Sequence, residues 1–189
     1  MSSLPSPNHF DLQNAASYDA RWAPIAPMRD SLHLQIELIL RHLPGNARIL
    51  CVGVGTGAEI IALARQFPGW RFTAVDPSAP MLDVCRQLAA EAGVADRCEF
   101  LAGYVHELPP GETYHAATSI LVSHFITDRA RRVGYYRELA SRLRPGGWLV
   151  TADLTTSPPG QHESLYAVWQ QMMRHVGATE EQLQAMLAT

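Results

Sequence analysis

The chain has 189 residues, 47% of them hydrophobic, and a net charge of −3, which suits one domain with a sizeable core and sets up no global field for nucleic acid. All 15 basic residues are arginine, so lysine Schiff-base chemistry and a Walker A phosphate loop are excluded. No apolar run approaches the roughly 18 residues that span a bilayer. The N-terminus MSSLPSPNHF lacks a basic region followed by an apolar stretch. The expectation is a cytoplasmic protein with no membrane or nucleic-acid partner. Cys51, Cys85 and Cys98 are odd in number and lack C-x-x-C spacing, which reads as buried free thiols and no metal site.

Residues 1–9 carry Pro5 and Pro7 among small polar residues and read as a disordered tail. Residues 10–30 read as mixed, anchored by Phe10, Tyr18 and Trp22, with Pro24 and Pro27 breaking any long helix. Ser31 is expected to cap a helix with the stripe Leu32, Ile36, Ile39, Leu40 and Leu43, ended by Pro44 and Gly45. Arg48–Val54 is an apolar run without helical period and reads as a buried strand. A Gly-rich turn and a helix to Phe67 follow, then a second strand, Arg71–Asp76. Ser78 caps a helix with Met81, Leu82, Val84, Cys85 and Leu88 inward and Gly93 at its end. Glu99–Gly103 and Ala116–Val122 are the third and fourth strands. Asp128 caps a helix within Arg129–Arg144, a segment with six arginines; its stripe Val133, Tyr136, Ala140 and Leu143 leaves them mainly outside. That face reads as solvated, with a docking patch for an acidic substrate as the sharper alternative. Arg144-Pro145-Gly146-Gly147 turns the chain into a fifth strand, Trp148–Leu154. Helices are expected at Gln161–Val176 and, behind a Thr179/Gln182 capping box, at Glu180–Leu187.

Strands separated by helices imply α/β architecture, a doubly wound and mainly parallel sheet. Ligands of such sheets sit beyond the carboxyl ends of the strands, at the switch point. Two motifs fall there. Gly53-Val54-Gly55-Thr56-Gly57 follows the first strand, where glycines let backbone approach a ligand. Asp76 ends the second strand, 19 residues after Gly57, where a carboxylate can accept both hydroxyls of a ribose. Gly53, Gly55 and Ala58 also satisfy the G-x-G-x-x-A dinucleotide pattern.

ILCVGVGTG resembles motif I of class I S-adenosylmethionine-dependent methyltransferases. AVDPSAPML is similar to the acidic strand-2 motif of that family, YHAATSILVSHFITD to its motif IV strand, and LRPGGWLV to its turn into strand 5. The resemblance runs from about Arg48 to Leu154 and implies a Rossmann-like methyltransferase fold with S-adenosylmethionine as cofactor and a small molecule as methyl acceptor. By resemblance, Gly53, Val54, Gly55, Thr56 and Gly57 lie at the methionine part of the cofactor. Asp76 and Pro77 lie at the ribose, Met81 over the adenine, and Gly103, Tyr104 and Val105 at the motif III position. Three positions depart from the pattern: Cys51 stands where an acid is common, Tyr104 where Asp often follows the motif III glycine, and His115 where Asp often opens motif IV.

Methyl transfer needs a base only when the acceptor must lose a proton. His124, just after the fourth strand, is the candidate, with packing beneath the next helix as its other reading; His106 and His115 are weaker candidates. Tyr18 and Trp22 are either a lid or core residues. A nicotinamide-dependent oxidoreductase and a non-catalytic cofactor-binding or regulatory protein stand as alternative functions. The whole chain reads as one domain: residues 1–30 as tail and lid, 31–158 as cofactor-binding core, 159–189 as C-terminal helices. The resemblance implies two further strands after the fifth. No β-branched or aromatic run remains to supply them, so the sequence reads as a fold short of its last two strands, and truncation of a longer protein is one explanation. The open strand-5 edge is expected to pair two chains there or through the C-terminal helices.

Overall fold

β1 (Arg48–Val52), β2 (Arg71–Asp76), β3 (Cys98–Ala102), β4 (Tyr114–Ile120) and β5 (Leu143–Ala152) form one sheet in the order β3-β2-β1-β4-β5, with every pair parallel. The computed structural model describes residues 12–111, 113–155 and 160–187. Phe10, expected as an anchor, lies outside them. The helices are α1 (Leu12–Trp22), α2 (Ala26–Leu40), α3 (Ala58–Gln66), α4 (Ala79–Glu91), α5 (Arg129–Ser141), α6 (His162–His175) and α7 (Glu180–Leu187).

The central strands are apolar at consecutive positions because both sheet faces are covered. Ile49 and Cys51 pack with Ile36 and Leu40 of α2, Ile60 and Leu63 of α3, and Leu82 and Cys85 of α4. Leu50 and Val52 point the other way, into a second cluster with Leu139 of α5. Helices on both faces of a parallel sheet make the doubly wound α/β fold that the alternating pattern predicts. Arg97 ties α3 down by donating to the carbonyls of Ala64, Phe67 and Trp70; the Ala64 carbonyl lies in the last turn of the helix, where Pro68 has no N–H to offer it.

Four local expectations need correction. Residues 12–22 form a regular helix. α2 begins at Ala26 with proline in its first turn, so Ser31 lies inside it and caps nothing; proline is tolerated at that point because the first N–H groups have no intrahelical partner. α5 buries Leu139, with Tyr135 and Tyr136 part-buried, whereas Val133 and Ala140 are exposed. The inward face is therefore turned from the predicted stripe, and Tyr135 and Tyr136 have polar partners to reach. Finally, β5 starts at Leu143. The Arg-Pro-Gly-Gly turn is absorbed as an irregularity between the pairs Tyr114↔Leu143 and Ala116↔Trp148, with Gly146 at φ 77°.

Other signals hold. Ser78 Oγ accepts from the Met81 N–H, Asp128 Oδ1 from the Arg131 N–H, and Thr179 and Gln182 exchange both bonds of a capping box. The three cysteines are free, with Cys51 and Cys85 buried as expected and Cys98 only half-buried. No helix of the described residues is long and apolar enough to cross a membrane. Among the described residues, no strand pairs with the outer edge of β5. Trp148 on that strand is 47% exposed and Val168 on α6 is 67% exposed.

Candidate active site

The strand order reverses at β1: β2 and β3 extend to one side, β4 and β5 to the other. At the carboxyl end of β1 the chain turns under two hydrogen bonds to one carbonyl, from the Gly53 and Val54 N–H groups to Val75 O. The carboxyl end of β2 supplies Asp76, which is only 8% exposed. Its Oδ2 accepts from the Gly55 N–H and its Oδ1 from the Ser78 N–H, both at 2.8 Å. Burial raises this carboxyl above its ordinary range, against the pull of the two N–H donors. An ionised carboxylate offers about four acceptor sites, so each oxygen keeps one for a ligand hydroxyl.

The three motif glycines differ in what surrounds them. A Cβ at Gly53 would collide with Val122 Cγ2, and one at Gly57 with Cys85 Sγ. Those two positions are small because the segment after β4 and helix α4 pack against the loop. At Gly55, φ is 56° and a Cβ would meet only Met81 Cε, at 3.5 Å, so of the three it is the one that borders space. Met81 itself is buried beside the loop, and exposed Pro77 makes the bend between Asp76 and α4. Helix α1 closes this end. Thr56 Oγ1 donates to Asp19 Oδ1 at 3.0 Å. Burial raises the Tyr18 phenol, and the nearby charges of Asp19 and Asp76 add to the rise. Trp22 lies behind it, 6.3 Å from the Tyr18 ring centroid.

Across the switch point, β4 ends in a residue of unusual backbone: Leu121 has φ 59° and is 44% exposed. Left-handed backbone at a branched apolar residue carries strain. It turns the chain so that Val122 meets Gly53 and Ser123–Phe125 form a short helical turn. Asp153, just beyond β5, gathers this turn. Oδ2 accepts from Ser123 Oγ at 2.7 Å and from the Tyr136 hydroxyl at 3.3 Å, and Oδ1 faces His124 twice, through the backbone N–H at 3.2 Å and Nδ1 at 3.1 Å. The single Tyr136 O–H is shared between this carboxylate and Ser123 Oγ, the latter at 2.8 Å. Burial alone would raise the Asp153 carboxyl, but the hydrogen bonds from Ser123 and His124 outweigh it and hold it below its ordinary range. Next to this network, Tyr135 shares a 2.6 Å hydrogen bond with Ser119, and burial pushes its phenol up to about 12.

Residues 49–147, more than half of the chain, match the model of a methyltransferase domain family. The chain belongs to that methyltransferase family. It is 36% identical to the demethylmenaquinone methyltransferase of Lactiplantibacillus plantarum over 68% of this chain and 53% of that protein. Among solved structures it resembles a SAM-dependent methyltransferase from Geobacter sulfurreducens in complex with S-adenosyl-L-homocysteine, with TM-score 0.57 and 25% identity over 72% of this chain and 53% of the other. It also resembles the [4+2]-cyclase SpnF, with TM-score 0.58 and 25% identity over 68% and 47% of the two chains. The chain spans about half the length of that curated relative.

Against the methyltransferase pattern, the three departures resolve differently. Beside Cys51 lies the carboxyl of Glu59, brought in from the first turn of α3 and raised above its ordinary range by burial. Next to Tyr104, Glu107 supplies a carboxylate: its Oε2 accepts from the Tyr104 N–H and fills the place of a Cβ at Gly103. His115 sits at the amino end of β4, its Nδ1 accepting from the Arg48 N–H at 3.0 Å. It is therefore remote from the carboxyl-end cradle and drops out as a catalytic candidate. His106 stacks on Tyr104 with ring centroids 5.8 Å apart. Val105 buries its side chain in the second core cluster, so only its backbone is available to a ligand. Asp153, Asp19 and Glu59 carry no motif in the sequence. Asp153 follows an apolar strand and Glu59 precedes an apolar helical stripe, and a charge at such a boundary was the signal available.

Proposed function

We propose that this chain binds S-adenosylmethionine between the Gly53–Gly57 turn, Asp76 and Met81, and transfers its methyl group to a small-molecule acceptor. The observation that carries the reading is the cradle at the switch point. Asp76 is fixed by two backbone N–H groups beside Gly55, where a Cβ would meet only Met81. That donor set fits the cofactor: a carboxylate with free acceptor sites for ribose hydroxyls, an apolar thioether for the adenine face, and side-chain-free backbone for the methionine part. Family membership, the relative named as a methyltransferase and the neighbour complexed with S-adenosylhomocysteine all support it.

Bound S-adenosylmethionine supplies a methyl group on a positively charged sulfur, an already activated leaving group. The chain's own part is then to orient donor and acceptor and to exclude water. Tyr18 and Asp19 of α1 suit that last role, as a cover over the loop and Asp76, with Trp22 behind them. Tyr104, with the backbone of Gly103 and Val105, is assigned to the outer wall. His124 is the proposed proton acceptor. We also assign the protein to the cytoplasm, and to a homodimer that associates through the β5 edge.

Calorimetry with S-adenosylmethionine and with NADH separates the transferase from the oxidoreductase reading. The expected result is binding of the first and not the second; the reverse overturns the proposal. Incubation with tritiated-methyl cofactor and a broad acceptor panel then separates a transferase from a non-catalytic binder.

A further inference from the structure

The carboxyl ends of β4 and β5 hold a cluster that cofactor binding does not use: Ser123, His124, Tyr136 and Asp153. We propose that Asp153 is a positioning residue that fixes His124 as proton acceptor for a hydroxyl-bearing methyl acceptor. This rests on the methyl-transfer reading above.

Asp153 receives donors from Ser123 Oγ, the Tyr136 hydroxyl and the His124 backbone N–H, besides facing His124 Nδ1. That many donors keep the carboxylate ionised, and its titration lies below the ordinary range. An ionised carboxylate can only accept, so the proton of neutral His124 resides on Nδ1. Nε2 then carries the lone pair. The imidazole is held at its Nδ1 edge, and its side chain remains 20% exposed. It sits two residues after Val122, which touches the Gly53 position of the cofactor loop. The left-handed backbone at Leu121 shapes the turn that brings them together.

The acceptor class follows from proton chemistry. An amine that arrives as its free base already has its lone pair, an alkylammonium having lost its proton to water before it binds; a thiol ionises near pH 8.5, and a carboxylate is ionised at neutral pH. A phenol or alcohol, with a pKa of about 10 or higher, is the acceptor that gains most from a held base. In the step, the acceptor O–H bond breaks and its proton passes to His124 Nε2. The oxygen forms the new bond to the methyl carbon, and the electron pair of the breaking C–S bond stays on sulfur, which becomes neutral. Asp153 balances the imidazolium until the proton is released to water. Phe125, 38% exposed with its ring 4.2 Å from that of His124, offers an apolar wall for an aromatic acceptor.

The test uses the full chain with isotope-labelled histidine, tritiated-methyl S-adenosylmethionine, and catechol, benzylamine and thiophenol as probes. Nuclear magnetic resonance is expected to find neutral His124 as the Nδ1–H tautomer. Methyl transfer is expected on catechol oxygen. Asp153→Asn, whose amide can donate to Nδ1 and force the other tautomer, is expected to lower kcat by about 10²–10⁴-fold. KM for the cofactor should stay unchanged, and Asp153→Glu should recover part of the rate. An Nε2–H tautomer in the wild type overturns the proposal, as does an Asp153→Asn variant with wild-type kcat. Transfer to benzylamine or thiophenol but not catechol, or to none of the three, overturns the hydroxyl class. Failure of the wild type to bind S-adenosylmethionine in calorimetry sinks the underlying reading instead, whatever the tautomer.

Discussion

At Gly55 a Cβ would meet only Met81 Cε, whereas at Gly57 it would strike Cys85 Sγ. The same kind of substitution should therefore have two different consequences. Gly55→Val is expected to abolish S-adenosylmethionine binding in calorimetry, because the side chain would fill the ligand's approach and its branches disfavour the φ of 56°. Gly57→Ala is expected to lower stability by about 1–3 kcal/mol through overpacking on Cys85 together with its φ of 85°, read as a shifted denaturation midpoint. Equal effects at both positions would refute this division of roles. Glu59 gives a pH-dependent case. Its Oε1 is buried without a hydrogen-bond partner, and burial raises its carboxyl. Folding thus favours the protonated acid: stability is full below the ordinary carboxyl range and falls as pH rises through the raised value. Glu59→Gln, which cannot ionise, should remove that fall, so the variant gains on the wild type at about pH 8 and not at about pH 4. Thermal melts at the two pH values check it. The sequence shows glycine spacing and Asp76 plainly because each stands in a local motif at the end of a strand. It hides Glu59 and Asp153, whose partners lie on elements distant in sequence: Glu59 meets Cys51 and Thr118, and Asp153 meets Ser123 and His124.

Helix α5 shows the limits of periodicity. The six arginines of Arg129–Arg144 read as lying mainly on a solvated face, yet two of them, Arg132 in the helix and Arg142 just after it, have defined tasks. Arg142 donates to the carbonyls of Val105 and Pro109, and Arg132 to that of Ile126. Arg142→Ala should therefore cost about 1–3 kcal/mol, since it removes hydrogen bonds made by a charged donor to two carbonyls. Arg137→Ala, on the exposed side, should stay within about 0.5 kcal/mol. Urea denaturation distinguishes them, and equal losses would contradict the assignment. The inward face follows Tyr135, Tyr136 and Leu139, because hydroxyl partners at Ser119 and Ser123 reward burying two tyrosines. Apolar counting cannot see that reward. It also misplaced the start of α2, by treating Pro27 as a breaker when a proline in the first turn is a favourable start.

The doubly wound sheet was legible from strand and helix alternation, since consecutive apolar residues such as Ile49, Leu50 and Cys51 need cover on both faces. What alternation does not carry is how β5 meets its surroundings. Only Val150 of that strand is buried and Trp148 is 47% exposed, which is the profile of an edge open to pairing. Light scattering at micromolar concentration should report a dimer, and Trp148→Lys should shift it toward monomer without a change in fold. A wild-type monomer would remove the edge from the account. The central claim concerns the carboxyl ends of β1 and β2, and it is tested most directly by calorimetry of S-adenosylmethionine with the wild type and Asp76→Ala. The account predicts that the folded variant binds about 1.5–3 kcal/mol more weakly, the scale of a hydrogen bond to a charged group, which is roughly a 10- to 150-fold loss in affinity. Unchanged affinity in a folded Asp76→Ala protein would contradict it.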